Sequence, residues 1–498
     1  MANETEIKLS LSPRTAGQLA KHAMLAGLAS HRQLLINTYY DTPDKRLRHE
    51  RIVVRHRQKG GQCLLTVKTA PGLSGGLAQR SEWEVPGRRG EFDFSEVDNG
   101  SVRDLLEAIR DELQPAFTTH FWRNTWLLEP RDGVRIELAL DRGWIDARDR
   151  RETIREVELE LLAGQVSDLF TAVSGLQASL LLHPEARSKS ERAYRLLADA
   201  PFVPTKALPW AGEATMSTIA AFRLLALTCV NHLQSNEKGV CESDEPEFVH
   251  QARVAIRRLR SAIRLWQPLL PEPFVARFDP LWQELGNRLG DARNWDVFLA
   301  ETLPALGEAF PGRAEIERLS RYARSHSASC RRASRRVLRS ADYSRLLIDF
   351  TAALVALPEE GHGQLTEFVP RCLSKRARRV NERAAEILGA DDEARHRLRV
   401  AFKQLRYALD FFAPLLAGPL LAGYHQSATG LQELLGRLND LAVAGKLAAA
   451  ALPGRQGAEI RRWLAVQTES LLPELSRRLT DFQQQPVPWK VQETGRPR

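Results

Sequence analysis

Glu4, Glu6 and Lys8 alternate with Thr5, Ile7 and Leu9. In an extended chain successive side chains point to opposite faces, so the three charged groups share one face. The same parity recurs in Arg55 and Arg57, in Thr66 and Lys68, in Arg80, Glu82 and Glu84, in Arg135 and Glu137, and in Glu156, Glu158 and Glu160. One such strand is ordinarily a solvated face. Six of them, closed into an antiparallel barrel with the charged faces inward, would line a single lumen and leave no exposed edge. Clustered carboxylates suit hard divalent cations such as Mg2+ or Mn2+, whereas Lys and Arg donate to phosphate oxygens. A lumen holding both suits a metal-bound polyphosphate. No Gly-rich phosphate loop followed by Lys-Ser/Thr is present, and no serine or cysteine nucleophile constellation, so the expected chemistry is metal-assisted attack by water.

A second charged set follows a helical period. His250, Arg253, Arg257, Arg260 and Arg264 fall within a sector of about 80° on a helix, opposite Ala252, Ile256, Leu259, Ile263 and Trp266. That sector contains no carboxylate of its own. His396, Arg399, Lys403 and Arg406 reproduce it 146 residues later, and Gln283-Glu284-Leu285, Arg288-Leu289 and Asp291 recur at an offset of 149 as Gln432-Glu433-Leu434, Arg437-Leu438 and Asp440. Two copies in one order indicate a duplication, hence two similar helical bundles, and not a solenoid of short repeats. A phosphate polymer could run across both basic faces. Zinc lacks supporting ligands there. The tracts Arg331-Arg332, Arg335-Arg336 and 375–379 would extend the path or be solvated helix surface.

The elements that position these groups divide the chain of 498 residues in two. Up to about residue 200, alternation broken by Pro71-Gly72, Gly75-Gly76, Pro86-Gly87 and Asp132-Gly133 predicts strands over 4–9, 52–57, 63–69, 79–85, 123–129, 133–140 and 155–161, with helices confined to 12–25, 102–113 and 167–177. From about 213 the pattern is helical. The expected divisions are a domain over 1–200, a proline-marked linker over 201–212, a helical domain over 213–485 with repeats over about 213–355 and 366–485, and a tail over 486–498.

Composition sets the outer bounds. With 43% hydrophobic and 27% charged residues the chain is a folded protein and neither a disordered nor a disulfide-scaffold one. The five cysteines are scattered, the N-terminus has neither a basic nor an apolar leader region, and the apolar tracts 411–424 and 346–357 are broken by Pro414 and Pro419 and by Asp349. The expectation is a reduced, cytoplasmic protein with no membrane partner. Residues 1–200 hold 29 Lys+Arg against 29 Asp+Glu and the remainder 42 against 33, so the net charge of +9 is entirely C-terminal and would attract a polyanion.

The first half resembles the CYTH superfamily, the triphosphate tunnel enzymes. The resemblance rests on Glu4-Thr5-Glu6-Ile7-Lys8, Tyr39-Tyr40-Asp41-Thr42, Arg55-His56-Arg57, Leu65-Thr66-Val67-Lys68, Glu82-Trp83-Glu84, Glu156-Val157-Glu158-Leu159-Glu160 and Ser188-Lys189-Ser190-Glu191-Arg192, in that order. It implies an α+β domain built on an eight-stranded antiparallel β tunnel, with Lys8, Arg55, Arg57, Lys68, Arg80, Arg123, Lys189 and Arg192 on the phosphates. Glu4, Glu6, Glu82, Glu84, Glu156, Glu158 and Glu160 would organise Mg2+ or Mn2+ and the attacking water, with Glu4, Glu6 and Lys8 as the catalytic group. Where the family commonly offers a second basic residue after Arg123, this chain has Thr125, a departure. The second half resembles the CHAD domain, an all-α module of two pseudo-symmetric bundles that binds inorganic polyphosphate. That resemblance rests on the two histidine-led repeats and on 289–297, echoed more loosely by 438–443. Together they imply hydrolysis of inorganic triphosphate in the tunnel and polyphosphate binding by the helices, with polyphosphate bodies as the expected place of association. The alternatives are a non-catalytic polyphosphate-binding protein and a tunnel specific for thiamine triphosphate or for the adenylate cyclase reaction. Nucleic acid is disfavoured, because no aromatic stacking motif or DNA-reading helix accompanies the basic charge.

Overall fold

The computed structural model describes residues 2–69, 72, 75–198, 202–210, 212–358, 363–387, 392–416 and 419–489. Nine strands form in order: β1 (Ala2–Ser10), β2 (Ser30–Asp41), β3 (Val53–Lys59), β4 (Gln62–Lys68), β5 (Leu77–Pro86), β6 (Gln114–Leu128), β7 (Arg135–Ala147), β8 (Arg150–Ala163) and β9 (His183–Pro184). The α-helices are α1 (Pro13–Leu19), α2 (Arg46–His49), α3 (Gly100–Ala108), α4 (Val166–Gln177), α5 (Lys189–Leu197), α6 (Thr218–Glu242), α7 (Pro246–Trp266), α8 (Glu272–Val297), α9 (Leu303–Ala309), α10 (Ala314–Leu338), α11 (Ala341–Val355), α12 (Leu365–Ala385), α13 (Asp392–Phe412), α14 (Pro419–Ala451) and α15 (Ala458–Gln483). The chain divides into two compact units. One takes Met1–Val203 with Arg339–Ala356, the other Pro204–Leu338 with Leu357–Arg498.

In the first unit the strand order is β5-β4-β3-β2-β6-β7-β8-β1-β9, and β5 also pairs with β1, so eight antiparallel strands close into a barrel. Closure is carried by Glu4 opposite Arg80 and Ala2 opposite Glu82. Charged residues at alternate positions therefore turn into the lumen, while Ile7, Leu9, Leu138, Leu140, Val157 and Leu159 turn outward into a core under α1 and α4. The expected set of strands lacked β2. Its second half is buried on both faces, so Leu35 to Asp41 show no clean alternation. α11, expected to end the first helical repeat, groups with this unit. Its Ile348 joins the same core, Ala352 and Val355 pack against it, and Ser344 Oγ lies 2.9 Å from His183 Nδ1 on β9.

The second unit is all-helical. α6, α7, α8 and α10 pack as one bundle and α12, α13, α14 and α15 as another, and the duplicated helices α7 and α13 meet at the seam, as do α8 and α14. Each duplicated helix buries one face: Ala252, Ile256, Leu259, Ile263 and Trp266 on α7, and Leu398, Phe402, Leu405 and Leu409 on α13. Residues expected as linker are tied down here. The Thr205 N–H donates to Asn236 Oδ1 at 3.0 Å, and the Asn236 amide donates back to the Thr205 carbonyl at 2.9 Å. Of the expected tail, 490–498 lie outside the described residues, as do 201 and 211 of the linker. Among the described residues no helix is long and apolar enough to cross a membrane.

Candidate functional site

The barrel encloses a cavity of ≈ 640 Å³ whose lining includes Glu4, Glu6, Lys8, Arg55, Arg57, Lys68, Arg80, Glu82, Glu84, Arg123, Glu158, Glu160 and Lys189. Thirteen residues from six strands and one helix thus converge, eleven of them from the alternating strand faces and Arg123 and Lys189 as the resemblance implied. β3 delivers Arg55 and Arg57, and β8 delivers Glu158 and Glu160. Lys189 comes from the first turn of α5, whose start is fixed by a reciprocal cap: Ser188 Oγ accepts the Glu191 N–H at 3.1 Å, and the Glu191 carboxylate accepts the Ser188 N–H at 2.6 Å. The Ser188-to-Arg192 motif is therefore partly a helix-start signal that aims Lys189 into the lumen.

Cations and carboxylates interleave. Lys68 Nζ lies 2.8 Å from both Glu4 and Glu82, and Arg80 reaches Glu4 and Glu6 at 2.7 Å each. Lys8 lies 3.8 Å from Glu6 and 3.7 Å from Glu158. Arg123 and Lys189 both bind Asp141, at 2.7 and 2.8 Å, and both pair with Glu158. Burial opposes ionisation of Glu4, but Lys68 and Arg80 outweigh it and hold the carboxyl far below its ordinary range. Burial opposes the charge of Lys8 as well, and there Glu6 and Glu158 win and raise it.

Other groups are paired more loosely: Arg55 lies 3.7 Å from Glu82 and Arg57 3.7 Å from Glu84. Arg55 is buried at 7% exposure, and its Nε and Nη2 have no hydrogen-bond partner; only its Nη1 donates, to Tyr39 Oη at 3.4 Å. Burial, then Arg55 and Arg123, bring Arg57 down to about 10, and burial with Arg80 lowers Lys68. Burial, then the Glu4 carboxylate, push Glu160 up to about 7.

Two predicted residues are placed elsewhere. Glu156 is 1% exposed and Arg192 6%, and they pair with each other at 2.9 Å in the wall, outside the lining. Glu156, Glu158 and Asp141 offer oxygens within 4.8 Å of one another, a spacing that suits a cation, but the Lys189 ammonium already pairs with all three. Of the triple alternation, then, Glu158 and Glu160 face the lumen. Arg135, at the start of β7 where the β7–β8 register shifts, is exposed and outside the lining, whereas Glu137 lines the cavity. Thr125 does not reach the lining. The sequence reading missed Asp141, because the predicted strand stopped at Leu140, gave Tyr39 no role beyond its motif, and passed over Lys59, although Lys59 continues the parity of Arg55 and Arg57.

In the helical unit a cavity of ≈ 350 Å³ is lined by His250, Arg253, Arg257, Arg293, Arg399 and Lys403 together with Asn294, Asn439 and Asp440. Arg253 Nη1 donates to the Gly286 carbonyl at 2.7 Å, and a side chain at Gly290 would overlap that guanidinium. The Arg257 Nε is buried without a partner, and neither hydrogen bond nor ion pair reaches Lys403 among the described residues. Burial, then Arg257 and Arg399, lower Lys403 strongly; burial, then Arg257 and Arg293, bring Arg253 to about 10; burial and Arg293 bring His250 to about 4. The expectation of an uncompensated basic sector fails at its far end. Asp279 on α8 takes Arg260 at 2.9 Å and Arg264 at 3.2 Å, and Asp410 takes Arg406 at 2.8 Å. His396 lines a separate cavity with Arg395, Arg399 and Lys446. Arg331 binds Asp296 at 2.7 Å and Arg335 binds Asp244 at 2.7 Å, so these two tie helices together. Arg293 was missed because its counterpart in the second repeat is Ala442, so the duplication gives no signal there.

Comparison with known proteins follows the same division. The family described as CYTH domain matches residues 2–194, and the family described as CHAD domain matches 225–449. Over 200 residues the chain is 34% identical to an inorganic triphosphatase of Haemophilus influenzae, a match covering 39% of this chain and 55% of that protein, so just over half of the relative's length is spanned. A crystal structure of the CHAD domain from the plant Ricinus communis is 31% identical, covering 56% of this chain and 94% of that one with a TM-score of 0.47. A Hippeastrum structure described as a putative adenylyl cyclase with a dominant triphosphatase activity is 18% identical, covering 38% and 95%, with a TM-score of 0.30.

Proposed function

With a CYTH domain over residues 2–194 followed by a CHAD domain over 225–449, we propose that the protein hydrolyses inorganic triphosphate to diphosphate and phosphate in its tunnel and binds inorganic polyphosphate in its helical unit. The observation that carries the first half is Arg55, a buried guanidinium on the lumen lining with two nitrogens that make no hydrogen bond and a carboxylate, Glu82, no nearer than 3.7 Å. A buried donor without a partner is costly, and a phosphate oxygen is the partner its planar fork fits. Arg57, Lys68, Arg80, Arg123 and Lys189 would share the remaining phosphate oxygens, with Lys8 beside Glu6 and Glu158.

The carboxylates fit a hard divalent cation, Mg2+ or Mn2+, because Glu4, Glu6, Glu82, Glu84, Glu158 and Glu160 present oxygens on the same lining. When bound, such an ion supplies charge neutralisation on phosphate oxygens and Lewis acidity. The chain's own contribution is positioning and electrostatics. A water oxygen forms the new bond to a terminal phosphorus, the bridging P–O bond opposite it breaks, and diphosphate leaves with the electron pair. Glu160, raised to about 7, is suited to take the proton of that water near neutral pH. In the helical unit Arg253, Arg257, Arg293, Arg399 and Lys403 form a cluster short of carboxylates, which a polyanion would relieve.

The test is phosphate release from inorganic triphosphate, ATP and thiamine triphosphate with Mg2+, Mn2+ or EDTA, alongside polyphosphate binding at two salt concentrations. Metal-dependent turnover that favours inorganic triphosphate supports the hydrolase reading. Preference for another substrate moves the specificity, and no turnover in folded protein that still binds polyphosphate leaves a non-catalytic binding protein.

A further inference from the structure

The tunnel has two unlike ends. At one, α5 is packed in place by Ala193 and Tyr194, the latter against Phe117, which stacks on Tyr39, and Lys189 enters the lumen from it. At the other, the β3–β4 hairpin turns at Gly60 and Gly61. Along β3 toward that turn the lumen-facing residues become steadily more open: Arg55 is buried, Arg57 is half-buried and Lys59 is exposed, though all three line the same cavity. Two residues along a strand advance about 6.6–6.8 Å, so the three cations form a row from the interior to the mouth.

Lys59 is set apart from the cations deeper in the lumen. Each of Lys8, Arg55, Arg57, Lys68, Arg80, Arg123 and Lys189 has a carboxylate within 4.0 Å, whereas the Lys59 ammonium has no ion pair and no hydrogen bond among the described residues. The mouth carboxylates Glu137 and Glu160 stand on β7 and β8, and β2 and β6 lie between those strands and β3. Beside Lys59 the lining is Leu35, its cross-strand partner, and Gln33. An anionic tail leaving the tunnel along β3 would meet Lys59, Gln33 and Leu35, with Glu84 on β5 already held by Arg57 at 3.7 Å, and one leaving along β7 and β8 would meet Glu137 and Glu160, neither of which has a cation within 4.0 Å among the described residues.

We propose that Lys59 forms a mouth subsite for a phosphate beyond the third, so that the tunnel accepts the end of a longer linear polyphosphate with its tail directed outward along β3. The inference rests on the triphosphatase reading and adds to it a substrate class, linear inorganic polyphosphates longer than three units. An exposed charge-assisted contact supports a modest effect.

The experiment measures KM and kcat for inorganic triphosphate and linear tetraphosphate with the full chain and with its Lys59→Gln and Lys59→Arg variants. For Lys59→Gln the KM for tetraphosphate should rise about three- to tenfold while that for triphosphate changes less than twofold, and Lys59→Arg should restore most of the difference. Inhibition of triphosphate turnover by tetraphosphate should weaken by the same factor. An equal change for both substrates, no change for either, or failure of the unaltered chain to bind tetraphosphate while it turns over triphosphate would overturn the subsite alone. Absence of turnover on every substrate would instead overturn the triphosphatase reading.

Discussion

Both units gather cations into a cavity, and they do so in opposite ways. In the tunnel each inner cation faces a carboxylate: Lys68 has Glu4 and Glu82, Arg80 has Glu4 and Glu6, and Lys189 has Asp141, Glu156 and Glu158. At the helical seam Arg253, Arg257, Arg293, Arg399 and Lys403 crowd together with few carboxylates, and burial and mutual repulsion lower Lys403. The first arrangement is self-neutralising and can bind a cation and an anion together, as hydrolysis of a metal-bound phosphate requires. The second is short of negative charge and suits retention of a polyanion. A count of Lys and Arg alone would treat the two sites as equivalent.

The largest test of this contrast is on stability. Lys189→Met removes the one cation shared by three buried carboxylates, leaving Arg123, Lys8 and Arg192 to hold them, and should cost about 3–5 kcal/mol, whereas Lys403→Met removes a repelled charge and should raise the melting temperature of the polymer-free protein. Thermal unfolding of both variants checks the opposite signs, and destabilisation by both would end the distinction between paired and unpaired sites. Glu6→Gln should lower triphosphate turnover about 100-fold, about 2.7 kcal/mol of transition-state stabilisation, and leave polyphosphate binding unchanged. Conversely, Arg253→Ala combined with Lys403→Ala should weaken polyphosphate binding about 10- to 100-fold and leave tunnel kcat within twofold, which titration and phosphate release would read separately.

A smaller effect concerns pH. His250, at about 4 in the free fold, is neutral at pH 7; a bound polyanion raises it, so binding takes up a proton between the free and bound values. Affinity of the unaltered chain relative to His250→Asn should therefore rise several-fold as pH falls from 7 toward 5, and parallel profiles would remove His250 from the site. The smallest effect is expected for Arg260→Ala. Because Asp279 already holds Arg260, binding should change by less than about threefold, and a larger loss would mean that the polymer path continues past the seam cavity.

Much of both sites was legible before any coordinates. Glu4, Glu6 and Lys8 share a face because the period of a strand is two, and His250, Arg253 and Arg257 share one because a helix advances 100° per residue. These periods are fixed by backbone geometry, so the sequence by itself determined which side chains travel together, where strands give way to helices, and that the helical half is a duplication. Only the tertiary structure decided which charges remain available. Asp279 lies on the helix after Arg260, Asp141 lies one strand from Arg123, and Glu156 is taken into the wall by Arg192 and Lys189. The reach of a charge is set by distance and burial through space, and neither is a function of spacing along the chain.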